Sequence, residues 1–270
     1  MMRRKEFLDK IFKGGLMLLL PADWLVNNDR NASEVLFSFA IGSDLHYGQP
    51  GTTYEENLDE FTTAINKIHL MKPLSFCFVN GDLVHDDIGH FPVVKRGLNK
   101  LKMKYYVSQG NHDHANEAQW KKAWNLPFNF TYELHDYGFI TATTSNERGD
   151  YVCPDLKFIA DSLKKYASKK GVFVFLHINT SKLKNASIDC PEILEVLKSS
   201  RNLIGVFNGH DHDVDAVLDK EGVKFLFDGH IGGNWGLKEH GSRVVDVMRD
   251  GTIVTCIMKN GVAERQTDLR

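Results

Sequence analysis

At 270 residues the chain is long for one domain and ample for a large core. Its 42% hydrophobic and 25% charged residues are ordinary globular proportions and exclude a disordered chain. A formal charge of -2, from 33 Lys+Arg against 35 Asp+Glu, gives no argument for a polyanion-binding surface, so nucleic acid is not an expected partner.

The first 26 residues, MMRRKEFLDKIFKGGLMLLLPADWLV, run from a basic start through a short apolar stretch to Pro21-Ala22, the layout of an export signal. RRKEFL also resembles a twin-arginine signal. We expect residues 1–26 to be an export segment and residues 33–270 to form a single domain of an exported, periplasmic protein. A cytoplasmic protein with an amphipathic N-terminal helix is the alternative. No later run approaches the about 20 apolar residues of a membrane span. The four cysteines, Cys77, Cys153, Cys190 and Cys256, lie far apart without a CxxC pair, which argues against a disulfide framework and against a cysteine zinc site. Cys77 and Cys256 sit in apolar runs and read as buried thiols.

From residue 35 the elements alternate. Val35–Ile41 reads as a buried strand, and Thr53–Leu70 as a helix with Leu58, Phe61, Ile65 and Ile68 on one side. Leu74–Val79 is a second strand, Phe91–Lys102 a helix, Tyr105–Val107 a third strand and Glu117–Trp124 a third helix. This order predicts an α/β fold with parallel strands. Phe130–His135 and Gly138–Thr144 read as a hairpin through Asp136-Tyr137. Leu156–Lys169 is a helix, Val172–Leu176 a strand, Pro191–Lys198 a short helix and Leu203–Phe207 a strand. Val214–Leu218, Val223–Phe227, Arg243–Met248 and Thr252–Met258 follow as short strands expected to be antiparallel, with Asp250-Gly251 as a hairpin turn.

Five strand ends carry polar clusters: Asp44-x-His46, Gly81-Asp82, Gly110-Asn111-His112-Asp113, His177, and Gly209-His210-x-His212. Strand C-terminal ends of a layered α/β sheet face one crevice, where ligands bind. Converged there, the clusters offer three carboxylates, five imidazoles and one amide, a donor set suited to two divalent metals. Gly81, Gly110 and Gly209 each precede a candidate ligand, where a missing Cβ permits a sharp turn or a close approach. There is no GxxxxGK[ST] loop and no G-x-S-x-G elbow.

In this order, D-x-H, G-D, G-N-H-D, a lone His and G-H-x-H resemble the calcineurin-like metallophosphoesterase family over about residues 35–235. The resemblance implies a four-layer αββα sandwich of two mixed sheets, with a di-metal site at the strand C-terminal ends. It implies Asp44, His46, Asp82 and His212 on one metal, and Asp82, Asn111, His177 and His210 on the other, with Asp82 bridging. It further implies two divalent ions (Mn, Fe, Zn or Co) and hydrolysis of a phosphoester by a water that both metals hold. His112 would reach the phosphoryl group or leaving oxygen, and Asp113 would fix the His112 tautomer.

One departure from the family bears on the metal. Purple acid phosphatases carry a Tyr ligand three residues after this bridging Asp, where this chain has His85, so a tyrosine-bound ferric site is not expected. His85 is a candidate for substrate contact from the rim. The segment FLFDGHIGGNWG resembles a site-mouth loop of relatives acting on nucleotides and other small phosphoesters, which makes His230, Asn234 and Trp235 further candidates. Trp235 would stack a base or sugar. Arg148 and Tyr151, in NERGDYVCP, are candidates on a second rim loop. The expected activity is hydrolysis of a small, nucleotide-like phosphodiester. A phosphomonoesterase or protein phosphatase is one alternative, and a non-catalytic metal-binding scaffold is another.

Overall fold

The structure, a computed structural model, describes residues 34–259 and 262–270; the expected export segment lies outside them. Two six-stranded sheets stack face to face. The first has the order β12-β11-β10-β1-β2-β3 and the second β4-β5-β6-β7-β9-β8. In the first, β1 (Val35–Gly42), β2 (Phe76–Asn80) and β3 (Lys104–Ser108) run parallel. The antiparallel strands β10 (Gly241–Met248), β11 (Ile253–Lys259) and β12 (Val262–Asp268) extend that sheet beyond β1. In the second, β5 (Tyr137–Ala142), β6 (Gly171–Leu176), β7 (Leu203–Asn208) and β9 (Val223–Phe227) are parallel. The hairpin partners β4 (Phe130–Leu134) and β8 (Val217–Lys220) are antiparallel at its edges. The two-sheet αββα sandwich agrees with the expectation, but β9 does not: it pairs with β7 in parallel as well as with β8 antiparallel.

The sheets meet through aromatic rings. Phe39 and Phe78 of the first sheet pack on Phe173, Phe175 and Phe207 of the second, with Phe78 and Phe175 stacked at 4.1 Å. Large flat side chains alternating on a strand fill the roughly 10 Å gap between packed sheets. Helices close both outer faces. α1 (Tyr54–Met71), α2 (Phe91–Leu98) and α3 (Glu117–Trp124) bury Phe61, Ile65, Val94 and Trp120 against the first sheet. α4 (Leu156–Lys165) and α5 (Pro191–Ser199) bury Ile159, Leu163, Ile193 and Leu197 against the second. Local signals set the helix starts: Asn116 and Gln119 form a capping box on α3, Asp155 caps α4, and Pro191 opens α5.

Two helices stop before their apolar pattern does, and an asparagine ends each. Asn66 of α1 donates to the Lys100 carbonyl and accepts from the Lys102 amide, so α2 ends at Leu98 rather than Lys102. Asn202 donates to the carbonyls of Tyr166 and Lys169, and α4 ends at Lys165 rather than Lys169. β12 has no strand signal in the sequence, because VAERQTD lacks an apolar run and lies at the sheet edge.

The cysteines require a correction. Cys77 and Cys256 are buried free thiols as expected, but Cys153 and Cys190 form a disulfide, joining the loop before α4 to the start of α5. The bond closes a 37-residue separation. Loop-closure entropy gives such a cross-link about 4 kcal/mol. A Cys153→Ser, Cys190→Ser double variant should therefore lower unfolding stability by up to about that amount in a denaturant titration.

Candidate metal centre

The loops leaving β1 and β2 stay paired after the strands end. The amides of Asp44 and His46 donate to the carbonyls of Gly81 and Asp82 at 3.0 and 2.9 Å. Asp44, His46, Asp82 and His210 all take left-handed backbone conformations, with φ of 58°, 46°, 51° and 66°. Such residues cost on the order of 1–3 kcal/mol each and cluster where function requires them. Gly110 meets a second demand: a Cβ there would lie 2.2 Å from Oδ1 of Asp82.

The second sheet brings its ligands to the same place. Asn80 Nδ2 donates to the Phe207 carbonyl at 3.1 Å, and the His210 amide donates to Asp44 at 3.0 Å, crossing between the sheets. His177 Nδ1 lies 2.7 Å from the Asn80 carbonyl, which fixes Nδ1 as the protonated nitrogen and turns Nε2 inward.

Three groups of close ligand atoms result: Asp44/His46/His212 and Asp82/His177/His210, which hold the expected ligands, and His46/His85/His112 at the edge. In the first, Nε2 of His212 is 3.2 Å from Asp44 Oδ1 and 3.2 Å from His46 Nε2. In the second, Asp82 Oδ2 is 3.2 Å from His177 Nε2; the same oxygen is 3.6 Å from His46 Nε2, so it stands between the groups. Ligand atoms held about 2.1 Å from one ion lie about 3.0–3.4 Å apart. Nε2 of His210 and Oδ1 of Asn111 are buried with no hydrogen-bond partner. Buried polar atoms are rarely left so, and metal ions would satisfy both. The residues fit a binuclear divalent site.

The electrostatics point the same way. Burial would raise Asp82, but His177 holds it well below the usual carboxylate range. Asp44 is likewise lowered, by His212 and His177, against its burial. Burial pushes His46 down to about 3 and His210 down to about 4, so both are neutral and ready to ligate. Burial also opposes charge on His177, yet Asp82 and Asp44 raise it to about 10.

The residues around this centre divide. His112 reaches its edge, with its ring stacked on His85 at 4.9 Å and its amide donating to Asp82 Oδ1 at 2.8 Å. The carboxylate that meets His112 Nδ1 is Asp86, at 2.7 Å, and not Asp113. Asp113 instead accepts from the amides of Leu83, Val84 and Gly110 and braces the loops from within. Burial and the charge of Asp82 push Asp113 up to about 8. His85 faces inward: its Nδ1 is 3.1 Å from His46 Nδ1, behind the metal-facing nitrogen.

His230, expected at the substrate, lies behind the ligands. It is buried, both ring nitrogens face carbonyls, of Gly232 and Leu237, and it stacks behind His212 at 4.5 Å. Asn234 accepts from Gln49. Arg148 is exposed and pairs with Asp150 of its own loop. Trp235 and Tyr151 lie at the centre itself. The Trp235 ring stacks on His212 at 4.2 Å, and the Tyr151 ring stands edge-on to His210 at 4.9 Å. They are 42% and 43% exposed, and with Leu70 they make up the exposed large hydrophobics among the described residues.

A family model for calcineurin-like phosphoesterases matches residues 37–231. The chain belongs to this family. Its donor set and fold make it a metal-dependent hydrolase of that family. No curated protein matches the chain by sequence. Among solved structures, a dimetal phosphatase from Danio rerio is 12% identical with a TM-score of 0.70, covering 87% of this chain and 100% of that one. Purple acid phosphatase PPD1 from yellow lupin is 12% identical with a TM-score of 0.63, covering 86% of this chain and 53% of the lupin protein. GAP50, described as the anchor in the inner membrane complex of Plasmodium, is 13% identical with a TM-score of 0.62, covering 87% of this chain and 88% of that one. At these identities the likeness is one of fold. No helix among the described residues is long and apolar enough to cross a membrane.

The proton on His177 gives a test of the centre. With its pKa raised to about 10, metal-free His177 is protonated at neutral pH, and a metal at Nε2 must displace that proton. Mn²⁺ or Zn²⁺ loading at neutral pH should release at least one proton, with affinity rising about tenfold per pH unit for each proton released. Calorimetry in buffers of different ionisation enthalpy counts the protons.

Proposed function

We propose that this protein hydrolyses a small phosphodiester with an aromatic or nucleotide-like portion, using two divalent metals held by Asp44, His46, Asp82 and His212 and by Asp82, Asn111, His177 and His210. The observation that carries this reading is Asp82, whose Oδ2 is set between two groups of ligand nitrogens while its Oδ1 accepts from the His112 amide. When bound, the metals supply Lewis-acid polarisation of the phosphoryl group and an activated water. Their identity is left to the donor set, which accepts Mn, Fe, Zn or Co.

The protein's own groups do the rest. Asp86 holds the Nδ1–H of His112, so that the ring, when doubly protonated, would give its Nε2 proton to the departing oxygen and be left as the neutral Nδ1–H imidazole. Asp113 keeps the loops of Asp82 and His112 in register by taking three amides at once. Trp235 and Tyr151 stand on either side of the ligand histidines and offer ring faces or edges to a flat substituent. Two further observations support export to an oxidising compartment: the Cys153–Cys190 disulfide and the basic-then-apolar N-terminus.

Hydrolysis of bis(p-nitrophenyl) phosphate beside p-nitrophenyl phosphate, after chelation and again after Mn²⁺ is restored, tests the reading. Metal-restored turnover favouring the diester is expected, and Asp82→Asn should abolish both turnover and metal binding. Absence of bound metal in the wild type, with no turnover, would overturn the reading. His112→Asn should keep its metals and lose roughly 10²-fold or more in kcat. Asp86→Asn should lose about 10-fold, as loss of an orienting carboxylate does; an unchanged kcat in His112→Asn would remove it from the chemistry.

A further inference from the structure

Beside the metal centre lies a cavity of about 380 Å³, bounded on the inner side by His210 and His212 and walled by Leu183, Lys184, Asn185, Asp211, Asp213 and Trp235. Asp211 stands in sequence between the two ligand histidines. It is 6% exposed, and its Oδ2 has no hydrogen-bond partner. Lys184, on the same wall, bonds through Nζ to Asp213 at 2.8 Å and not to Asp211, which leaves it further Nζ protons to donate. A buried carboxylate oxygen without a donor is costly and uncommon, and a ligand that brings a donor removes the cost.

The wall chemistry narrows that ligand. An anionic group would meet two carboxylates. A cationic group would meet Lys184 and lie next to two metal sites. A purely apolar group would leave Asp211 unsatisfied. A hydroxyl both donates and accepts, and so matches Asp211 Oδ2 together with a remaining Nζ proton of Lys184. The half-exposed Trp235 ring adds a flat wall for the carbon face of a polyol.

We propose that this cavity binds a polyol unit of the substrate, a ribose or glycerol esterified to the phosphoryl group, through a hydroxyl that donates to Asp211 Oδ2 and accepts from Lys184 Nζ. The assignment rests on the phosphoesterase reading above and makes Asp211 and Lys184 the residues that choose among phosphoesters.

The test compares glyceryl p-nitrophenyl phosphate with n-propyl p-nitrophenyl phosphate, which share the reacting bond and differ in two hydroxyls. The Mn²⁺-loaded protein should favour the glyceryl ester by about 10-fold or more in kcat/KM, mainly through KM. Asp211→Ala should bring the ratio to within about twofold of one, and Lys184→Met, away from the ligand histidines, should lower it part of the way. Metal content is measured for each variant, so that Lys184→Met decides if Asp211→Ala loses its metals. Calorimetric titration of glycerol 1-phosphate and n-propyl phosphate into the Mn²⁺-loaded protein makes the same comparison without turnover. A ratio near one for the wild type in both measurements overturns the assignment, as does a preference that neither substitution lowers. Failure to hydrolyse either ester counts against the phosphoesterase reading alone, and the titration then decides for the cavity.

Discussion

One carboxylate has to face two ways, and much of the molecule is arranged so that it can. Asp82 is buried, and a lone buried charge is among the most expensive things a fold can contain. Here its Oδ1 is taken by the His112 amide and its Oδ2 is turned to His177 and His46. Bare Cα atoms at Gly81 and Gly110 clear the space around His177 and Asp82. Asp113 ties down the flanking loops with three accepted hydrogen bonds. The parallel strands β1, β2 and β3 are what bring these loops to one edge.

Outside that inner arrangement the surroundings become less constrained and more specific. The residues around the ligands divide between those locked from behind, such as His230 and His85, and those presented to solvent, such as Trp235 and Tyr151. Tyr151 is two residues from Cys153, and the disulfide ties its loop to the segment that also contributes Lys184 and Asn185 to the cavity wall. The rim therefore has a fixed frame with only a few exposed groups, a suitable arrangement for selecting among substrates that share the same phosphoryl chemistry.

Much of this was legible before any coordinates. Polar groups at the ends of apolar strands have few reasons to be there, so Asp44, His46, Asp82, His177, His210 and His212 stood out by contrast with their neighbours. The helices of the first half were legible for the opposite reason, a regular apolar spacing such as Leu58, Phe61, Ile65 and Ile68. What escaped was whatever depends on the direction of a side chain in a loop. His230 and Trp235 lie five positions apart in one segment, yet one ring is sealed under His212 and the other lies across it. Asp113, inside the conspicuous G-N-H-D cluster, was expected beside His112 Nδ1, where Asp86 stands instead. The Cys153–Cys190 pair spans 37 residues with no local mark, and only the fold brings the two thiols together. The end of α2 was lost to a side chain on another helix, Asn66.

Asp44, His46, Asp82 and Asn111 arrive on the first sheet and His177, His210 and His212 on the second, while Phe39, Phe78, Phe173, Phe175 and Phe207 set the spacing between the sheets. The ions would thus act as a clasp across the sandwich, and the aromatic layer as the spacer that sets the clasp's width. A change in ring size at Phe78 or Phe175, well inside the sandwich and without a single polar atom, would reach the clasp as a change in ligand separation. In this architecture a lesion in the hydrophobic interior and a lesion in the metal chemistry would share one phenotype.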